Sequence, residues 1–265
     1  MIKRAAFPLA LALTLSACAI LREQLGLALV SQETELELGR KLSAQIEKKE
    51  KPLADSRIQA YVRQLVAPIA QRSLQDRPGI VYQVTVIDDP KQINAFALPG
   101  GYVYVYSGLL KAADNEAELA GVMAHEIGHV VARHSANQLA AQYGMELLTQ
   151  LALGEDAGQL GEMAASLAGA GAMARFSRDD EREADEYGFK YMTACGYDPR
   201  ALLTFFTRLE QLEKSRPSDL ERLFASHPPT PERVNLIEQM ITKAGVSGGK
   251  LERDKYQKSV ASLKR

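Results

Sequence analysis

The amino-acid sequence predicts an α+β protein that is mostly helical and has a small β-sheet. Apolar residues recur at helical spacing over most of the chain after residue 33. Residues 80–106, in contrast, are rich in β-branched and aromatic side chains and are punctuated by turn residues. The chain has 265 residues, which is enough to bury the core of one substantial domain.

Two helices are predicted before the sheet, over residues 33–51 and 55–72. Three strands follow: residues 80–87, and then 94–98 and 101–106 around a turn at Pro99-Gly100. The tyrosines of the last strand share one face. That face is expected to pack against helices. The alternative hypothesis is that one strand of the pair is a sheet edge that binds an extended substrate through main-chain hydrogen bonds.

The second half of the chain is predicted to be helical. The expected helices cover residues 115–142, 145–173 with a break near 154–158, 178–195, 199–214 and 231–243. The Ala/Gly/Leu-rich pair within 145–173 is either a plain core pair or a lid. Residues 244–265 are polar and lysine-rich and are predicted to form a frayed tail, which leaves 33–243 as the folded domain.

Residues 1–17 are predicted to be a lipoprotein signal peptide. A basic start and an apolar stretch too short to span a bilayer lead to Leu15-Ser16-Ala17-Cys18, which resembles the bacterial lipobox. Cys18 would then be the lipidated first residue of the mature chain, and residues 18–32 a tether; an incidental cysteine after an ordinary signal is the alternative. Ala19, where an aspartate would favour the inner membrane, indicates the outer membrane, facing the periplasm.

Net charge and cysteine content argue against one functional class and one kind of covalent link. The formal net charge of -1 argues against a nucleic-acid-binding protein, which would normally carry a basic surface. The chain has two cysteines, so acylation of Cys18 would leave Cys195 without an intramolecular partner.

The most informative motif is His125-Glu126-Ile127-Gly128-His129. Residues four apart on a helix differ by about 40° of rotation, so His125 and His129 present their imidazoles from one face and can bind one Zn²⁺. Glu126 can then act on a water molecule at the metal. His134 lies nine residues after His125, about 180° round the helix, and is not expected to join this ligand set.

A catalytic zinc site needs a third protein ligand, and the best candidate lies in residues 178–195. Glu181 and Asp185 are four apart, so Glu181 can bind the metal while Asp185 reaches a ligand histidine. Glu183 lies about 200° from Glu181 and cannot share this role. The alternative is a solvated charged face paired with neighbouring arginines.

These motifs, followed by Ser226-His227-Pro228, resemble the HtpX and CAAX prenyl protease family of zinc metallopeptidases over residues 33–243. The resemblance implies a zincin-like fold that binds one Zn²⁺ per chain. The implied ligands are His125, His129 and Glu181. Glu126 would be the general base, and Asp185 the acid that supports a ligand histidine. The lipobox and the lack of other hydrophobic spans resemble the family's soluble bacterial branch.

The same resemblance assigns three further residues and leaves two questions open. Asn94, Phe96 and Gly101 fall in a segment similar to the family's sheet edge, where they would bind substrate in an extended conformation. His227 would either donate to the oxyanion or fill the open position of zinc as a plug; a structural histidine beside a proline turn is the third option. Arg233 is either a partner near the cleft or a surface arginine.

The favoured prediction is therefore a zinc endopeptidase that cleaves unfolded or misassembled envelope proteins in quality control at the outer membrane. The rival is a chaperone-like assembly factor whose protease site is kept latent by His227. The expected partners are protein substrates, the membrane through lipidated Cys18 and the outer-membrane assembly machinery, with no nucleic acid. A catalytically dead binding module is disfavoured because every chemical group is present.

Overall fold

The computed structural model describes residues 31–154, 157–168 and 176–264. The predicted signal peptide and Cys18 lie outside these ranges. Within them, no helix combines the length and the apolar composition that a membrane crossing requires.

Helices dominate the described residues, as the sequence predicts. In chain order they are α1 Gln32–Lys49, α2 Ser56–Ser73, α3 Ser107–Ala112, α4 Glu116–Val131, α5 His134–Tyr143, α6 Met145–Leu153, α7 Ala157–Ala168, α8 Arg178–Ala194, α9 Arg200–Glu213, α10 Pro217–Ser226, α11 Pro231–Ala244 and α12 Arg253–Ser259. Short 3₁₀ turns cover Pro99–Gly101 and Ala261–Lys264.

The sheet of the described residues has three strands: β1 Gln83–Ile87, β2 Ala95–Leu98 and β3 Tyr102–Tyr106. Strand β3 is central, with β1 parallel to it and β2 antiparallel. Strand β2 is thus a sheet edge, and it contacts α4 and α5. The predicted class, mostly helical with a small sheet beside the motif helix, is confirmed.

The two faces of the sheet belong to different apolar clusters. Ala95, Val103 and Val105 join the main core with α2, α4 and α9. Tyr104 and Tyr106 join a second cluster with α1, α6 and α7. The tyrosine face therefore packs against helices, as expected from the alternation of the strand, and α6 and α7 are a core pair of helices.

Two expectations about the second half are wrong, and one helix was missed. The helix predicted over 115–142 is broken between α4 and α5, where Arg133 has a left-handed backbone with φ of 63°. Helix α10 was not expected. Residues 253–264 form α12 and a 3₁₀ turn rather than a frayed tail, because Tyr256 and Val260 are fully buried in the main core.

Candidate metal centre

Helix α4 carries the histidine motif through the centre of the protein, with all of its residues buried. The side chain of Asn115 caps its start by accepting a hydrogen bond from the Glu118 amide at 3.0 Å. Glu116, in the first turn, accepts hydrogen bonds from the hydroxyls of Tyr61 and Tyr197, both at 2.7 Å. The motif helix is therefore held firmly at its N-terminal end.

Helix α8 carries the second motif and begins with a capping box between Ser177 and Asp180. It packs closely on α4 because small residues line the crossing. A β-carbon at Gly188 would lie 3.2 Å from the His125 amide nitrogen. This close approach brings Glu181 and Asp185 of α8 to the two histidines of α4.

Four buried side chains converge where these helices meet: His125, His129, Glu181 and His227. Their candidate ligand atoms all lie within 4.8 Å of one another. The Nε2 atoms of His125 and His129 are 3.0 Å apart, and His129 Nε2 lies 3.4 Å from Glu181 Oε1. Glu181 Oε2 lies 3.6 Å from His125 Nε2.

His227 reaches this group from the C-terminal end of α10. Its Nδ1 lies 2.8 Å from Glu181 Oε1 and 3.4 Å from His125 Nε2. Its Nε2 lies 3.6 Å from Glu126 Oε1. His227 is thus inserted between the donor atoms and the carboxylate of the motif glutamate.

The donor set fits zinc. Zinc takes imidazole nitrogen and carboxylate oxygen at about 2.0–2.2 Å in a tetrahedron, so ligand atoms should be separated by about 3.3–3.6 Å. Neighbouring donor atoms of the group are 2.8 to 3.6 Å apart, and all of them lie within 4.8 Å of one another. Three imidazoles and one carboxylate also suit zinc better than Ca²⁺ or Mg²⁺, which take oxygen ligands.

The protonation states favour metal binding at His129 and Glu181. Burial lowers the pKa of His129 well below its usual 6.5, so the ring is neutral. Burial would raise the pKa of Glu181, but the charge of His227 and contacts with His129 and His125 hold it well below 4.5. Burial likewise opposes protonation of His227, yet Glu181 and Glu126 raise its pKa, so a metal at His227 competes with a proton.

Asp185 supports His125 from behind. Its Oδ1 lies 2.9 Å from His125 Nδ1, the ring nitrogen that faces away from the other donors. A carboxylate in this position fixes the ring orientation of a ligand histidine and makes the histidine more basic. The predicted reach of Asp185 to a ligand histidine therefore agrees with the geometry.

A protein-family model agrees with this arrangement. The model of peptidase family M48 matches residues 52–241, which cover most of the chain, both helices of the site and His227. The chain belongs to peptidase family M48. M48 peptidases use zinc, and the buried group of His125, His129, Glu181 and His227 could hold one metal ion, which agrees with the predicted site for one zinc ion.

Several curated proteases are similar to this chain. The mitochondrial metalloendopeptidase OMA1 of Schizosaccharomyces pombe is 38% identical over 168 residues, or 62% of this chain and 48% of OMA1. The metalloprotease YcaL of Escherichia coli is 34% identical over 164 residues, or 60% of this chain and 61% of YcaL. The beta-barrel assembly-enhancing protease of Escherichia coli is 35% identical over 172 residues, or 58% of this chain and 34% of the relative. The chain thus spans less than two thirds of each of these relatives.

Arg233, which the sequence left undecided, is buried in the M48 site. Its Nη2 donates to Asp185 Oδ1 at 2.6 Å, and its Nη1 lies 2.7 Å from Glu181 Oε2. Burial alone would raise the pKa of Asp185, but Arg233 and His125 hold it below its usual value. Arg233 thus joins the two acids of α8 into one rigid unit.

The residues predicted to bind substrate are dispersed along the sheet. Asn94 lies just before β2, and its carbonyl accepts the Tyr106 amide at 3.0 Å. The Phe96 ring stacks on Tyr104 on the face away from α4, with centroids 5.0 Å apart. Gly101 lies in the turn before the central strand β3. Their role in substrate binding stays a prediction.

Two cavities adjoin the donor group. A cavity of about 740 Å³ lies between the first turns of α8 and α11 and is lined by Phe176, Glu181 and Arg233 among others. A second, apolar pocket borders Glu126 and is lined by Phe205, Phe206 and Leu223, but its volume of about 30 Å³ holds only one water molecule.

Proposed function

We propose that this protein is a zinc endopeptidase that hydrolyses peptide bonds of unfolded or misassembled envelope proteins. The observation that carries the proposal is the buried convergence of His125, His129 and Glu181 beside Glu126. In this proposal those three residues hold zinc. Bound zinc would supply a Lewis acid that polarises the scissile carbonyl and lowers the pKa of water.

The chain's own residues would carry the proton. Glu126 accepts a proton from the attacking water while the oxygen of that water bonds to the carbonyl carbon. When the carbon–nitrogen bond breaks, Glu126 returns that proton to the leaving amine. Asp185 and Arg233 keep His125 and Glu181 in place during both steps, since they contact these residues directly.

The envelope setting is supported by the relatives and by the N-terminal sequence. The beta-barrel assembly-enhancing proteases of Escherichia coli and Vibrio cholerae are each at least 35% identical to this chain over their matched regions. The lipobox ending in Cys18 would anchor the chain in the outer membrane, facing the periplasm. The intact mass of membrane-extracted protein tests this anchor, because a mature form that does not begin at Cys18 excludes it.

Glu126→Gln tests the proteolytic assignment. This change should reduce cleavage of unfolded casein by at least about 100-fold, because the variant cannot accept the proton, while one zinc per chain is retained. Glu186→Gln, an exposed carboxylate on the same α8 helix as Glu181, is the matched control and should cleave normally. Casein cleavage at the wild-type rate by Glu126→Gln would refute the assignment of the base. The same variant, expressed in the envelope, should retain substrates that mass spectrometry can identify.

We further propose that His227 keeps the site latent. A catalytic zinc site leaves one position open, whereas a site with four protein ligands is closed. His227 Nδ1 stands among the other donor atoms and completes a set of four. His227→Ala should therefore increase casein cleavage. A loss of 100-fold or more would instead indicate that His227 stabilises the transition state.

A further inference from the structure

We propose that His134 is a positioning residue that fixes the ring of His129 for metal binding. The inference rests on the proposed zinc site. It concerns a histidine that lies outside the group of four donor residues and that no step of the proposed reaction uses. The evidence is the set of contacts that His134 makes on its two sides.

The two histidines of the motif have different outer partners. His125 Nδ1 lies 2.9 Å from the carboxylate of Asp185. His129 Nδ1 instead lies 2.9 Å from Nδ1 of His134, and both rings are buried. His134 therefore occupies, behind His129, the position that Asp185 occupies behind His125.

The proton positions along this contact follow from the zinc-binding atom. Because His129 presents Nε2 to the other donors, its neutral ring carries the proton on Nδ1 and donates to His134 Nδ1. The proton of a neutral His134 must then sit on Nε2. Two acids flank that atom: Glu183 Oε2 at 3.2 Å and Asp180 Oδ1 at 3.4 Å. The two hydrogen bonds then run in one direction: His129 donates to His134, and His134 donates to a carboxylate on the side away from the metal centre.

The backbone holds His134 at the place this role needs. His134 is the first residue of α5, directly after the left-handed residue Arg133, whose Nε donates to Glu35 at 2.8 Å. The next residue, Ser135, donates its hydroxyl to the Ala97 carbonyl at 2.9 Å. The break between α4 and α5 thus turns His134 back toward His129, which a continuous helix would not do.

The remaining surface of the His129 ring is held by an aromatic contact. Phe176 stacks on it with centroids 4.1 Å apart and an angle of 24° between the planes. Stacking restrains the plane of the ring but permits a flip of about 180° about the Cβ–Cγ bond, which would exchange the two edges of the ring. The hydrogen bond to His134 removes this freedom and selects the tautomer that leaves Nε2 available to the metal.

The experiment measures zinc affinity by competition with a chelator, separately from proteolysis. His134→Leu removes the acceptor and should weaken zinc binding by about 10–100-fold, the usual cost of losing such a partner. His134→Asn places an amide oxygen near the position of Nδ1 and should restore affinity to within about threefold. His134→Ala is a second truncation, in case the leucine variant does not fold.

Ser135→Ala is the matched control, because it removes a buried hydrogen bond from the same turn without touching His129. It should lower stability and leave zinc affinity unchanged. Equal losses of affinity in His134→Asn and the truncations, or wild-type affinity in the truncations, would overturn the positioning role. A wild-type protein that binds no zinc would overturn the proposed function as well.

Discussion

Gly128 lies so close to Ala184 that a β-carbon at residue 128 would stand 2.8 Å from the Ala184 carbonyl oxygen. The contact joins the two helices of the M48 site at their crossing, between the second-motif acids of α8 and the histidines of α4. Glycine is required here for close approach rather than for an unusual backbone angle. The spacing of the donor atoms thus depends on Gly128, which has no side chain that could bind metal or react.

Gly128→Ala should push the two helices apart. Overpacking of this kind costs about 1–3 kcal/mol of unfolding free energy, and zinc affinity should fall because Glu181 moves away from the histidines. Urea unfolding of the metal-free protein and chelator competition measure the two effects. Gly161→Ala is the control: a β-carbon there meets nothing within 4 Å, so the change should be neutral or stabilising. Equal behaviour of the two variants would contradict the close-contact argument.

Arg233→Met should destabilise the metal-free protein by about 3–5 kcal/mol, because it leaves two buried carboxylates without their cation. Arg233→Lys should recover only part of this loss, since lysine cannot form the two parallel contacts made with Asp185. Thermal unfolding measures both. Arg200→Met, which breaks the half-exposed pair with Asp198, should change stability by about 0.5 kcal/mol or less. An Arg233→Met variant as stable as Arg200→Met would show that the buried pairs contribute nothing.

The pH dependence of stability should include a contribution from Glu116. Burial would raise its pKa, but hydrogen bonds from Lys255, Tyr61 and Tyr197 lower it below 4.5. A carboxyl whose pKa is lowered by folding stabilises the protein fully above its unfolded pKa, and this stability is lost as the pH falls through the folded value. Glu116→Gln should therefore reduce the loss of unfolding free energy on acidification below pH 4.5. Urea unfolding at a series of pH values measures this dependence. The same loss of unfolding free energy per pH unit in Glu116→Gln and the wild type would contradict the assignment.

The C-terminal helix α12 should be essential to the domain. Tyr256 is fully buried and donates its hydroxyl to the Leu110 carbonyl at 2.6 Å. Tyr256→Ala should cost about 3–5 kcal/mol through the cavity it leaves. Lys258→Ala, at an exposed position of the same helix, should have little effect. Hydrogen exchange of the backbone amides in the first turn of α4 should accelerate in Tyr256→Ala and not in Lys258→Ala. Equal exchange rates in the two variants would mean that the domain does not depend on α12.

The sequence predicted most helices because their signals are local. Apolar periodicity and capping residues fixed α2, α8 and α11 to within about two residues. The break at Arg133 carries no glycine or proline to mark it. Its left-handed backbone is held by an ion pair with Glu35, 98 residues earlier, which no local pattern contains. The polar composition of residues 244–265 likewise concealed the buried Tyr256 of α12 and Val260, which follows the helix.

The candidate site also contains residues that local spacing predicts and residues that only long-range contacts place there. His125 and His129, and then Glu181 and Asp185, could be predicted because each pair obeys the four-residue period of a helix. Arg233 could not, since its burial depends on Asp185, 48 residues away along the chain, and on Glu181, whose charges it balances. His134 is absent from the ligand group, as its spacing from His125 predicts. Its contact with His129 Nδ1 could not be predicted, because it depends on the left-handed residue Arg133 before it.

The contacts of α12 have a consequence for the order in which the protein matures. Lys255 reaches Glu116 across 139 residues, so the support of the motif helix is complete only after nearly the whole described chain has been synthesised. A growing chain holds both motif histidines long before it holds these contacts. The support that Lys255 gives to the first turn of α4 is therefore among the last of these contacts that can form during synthesis.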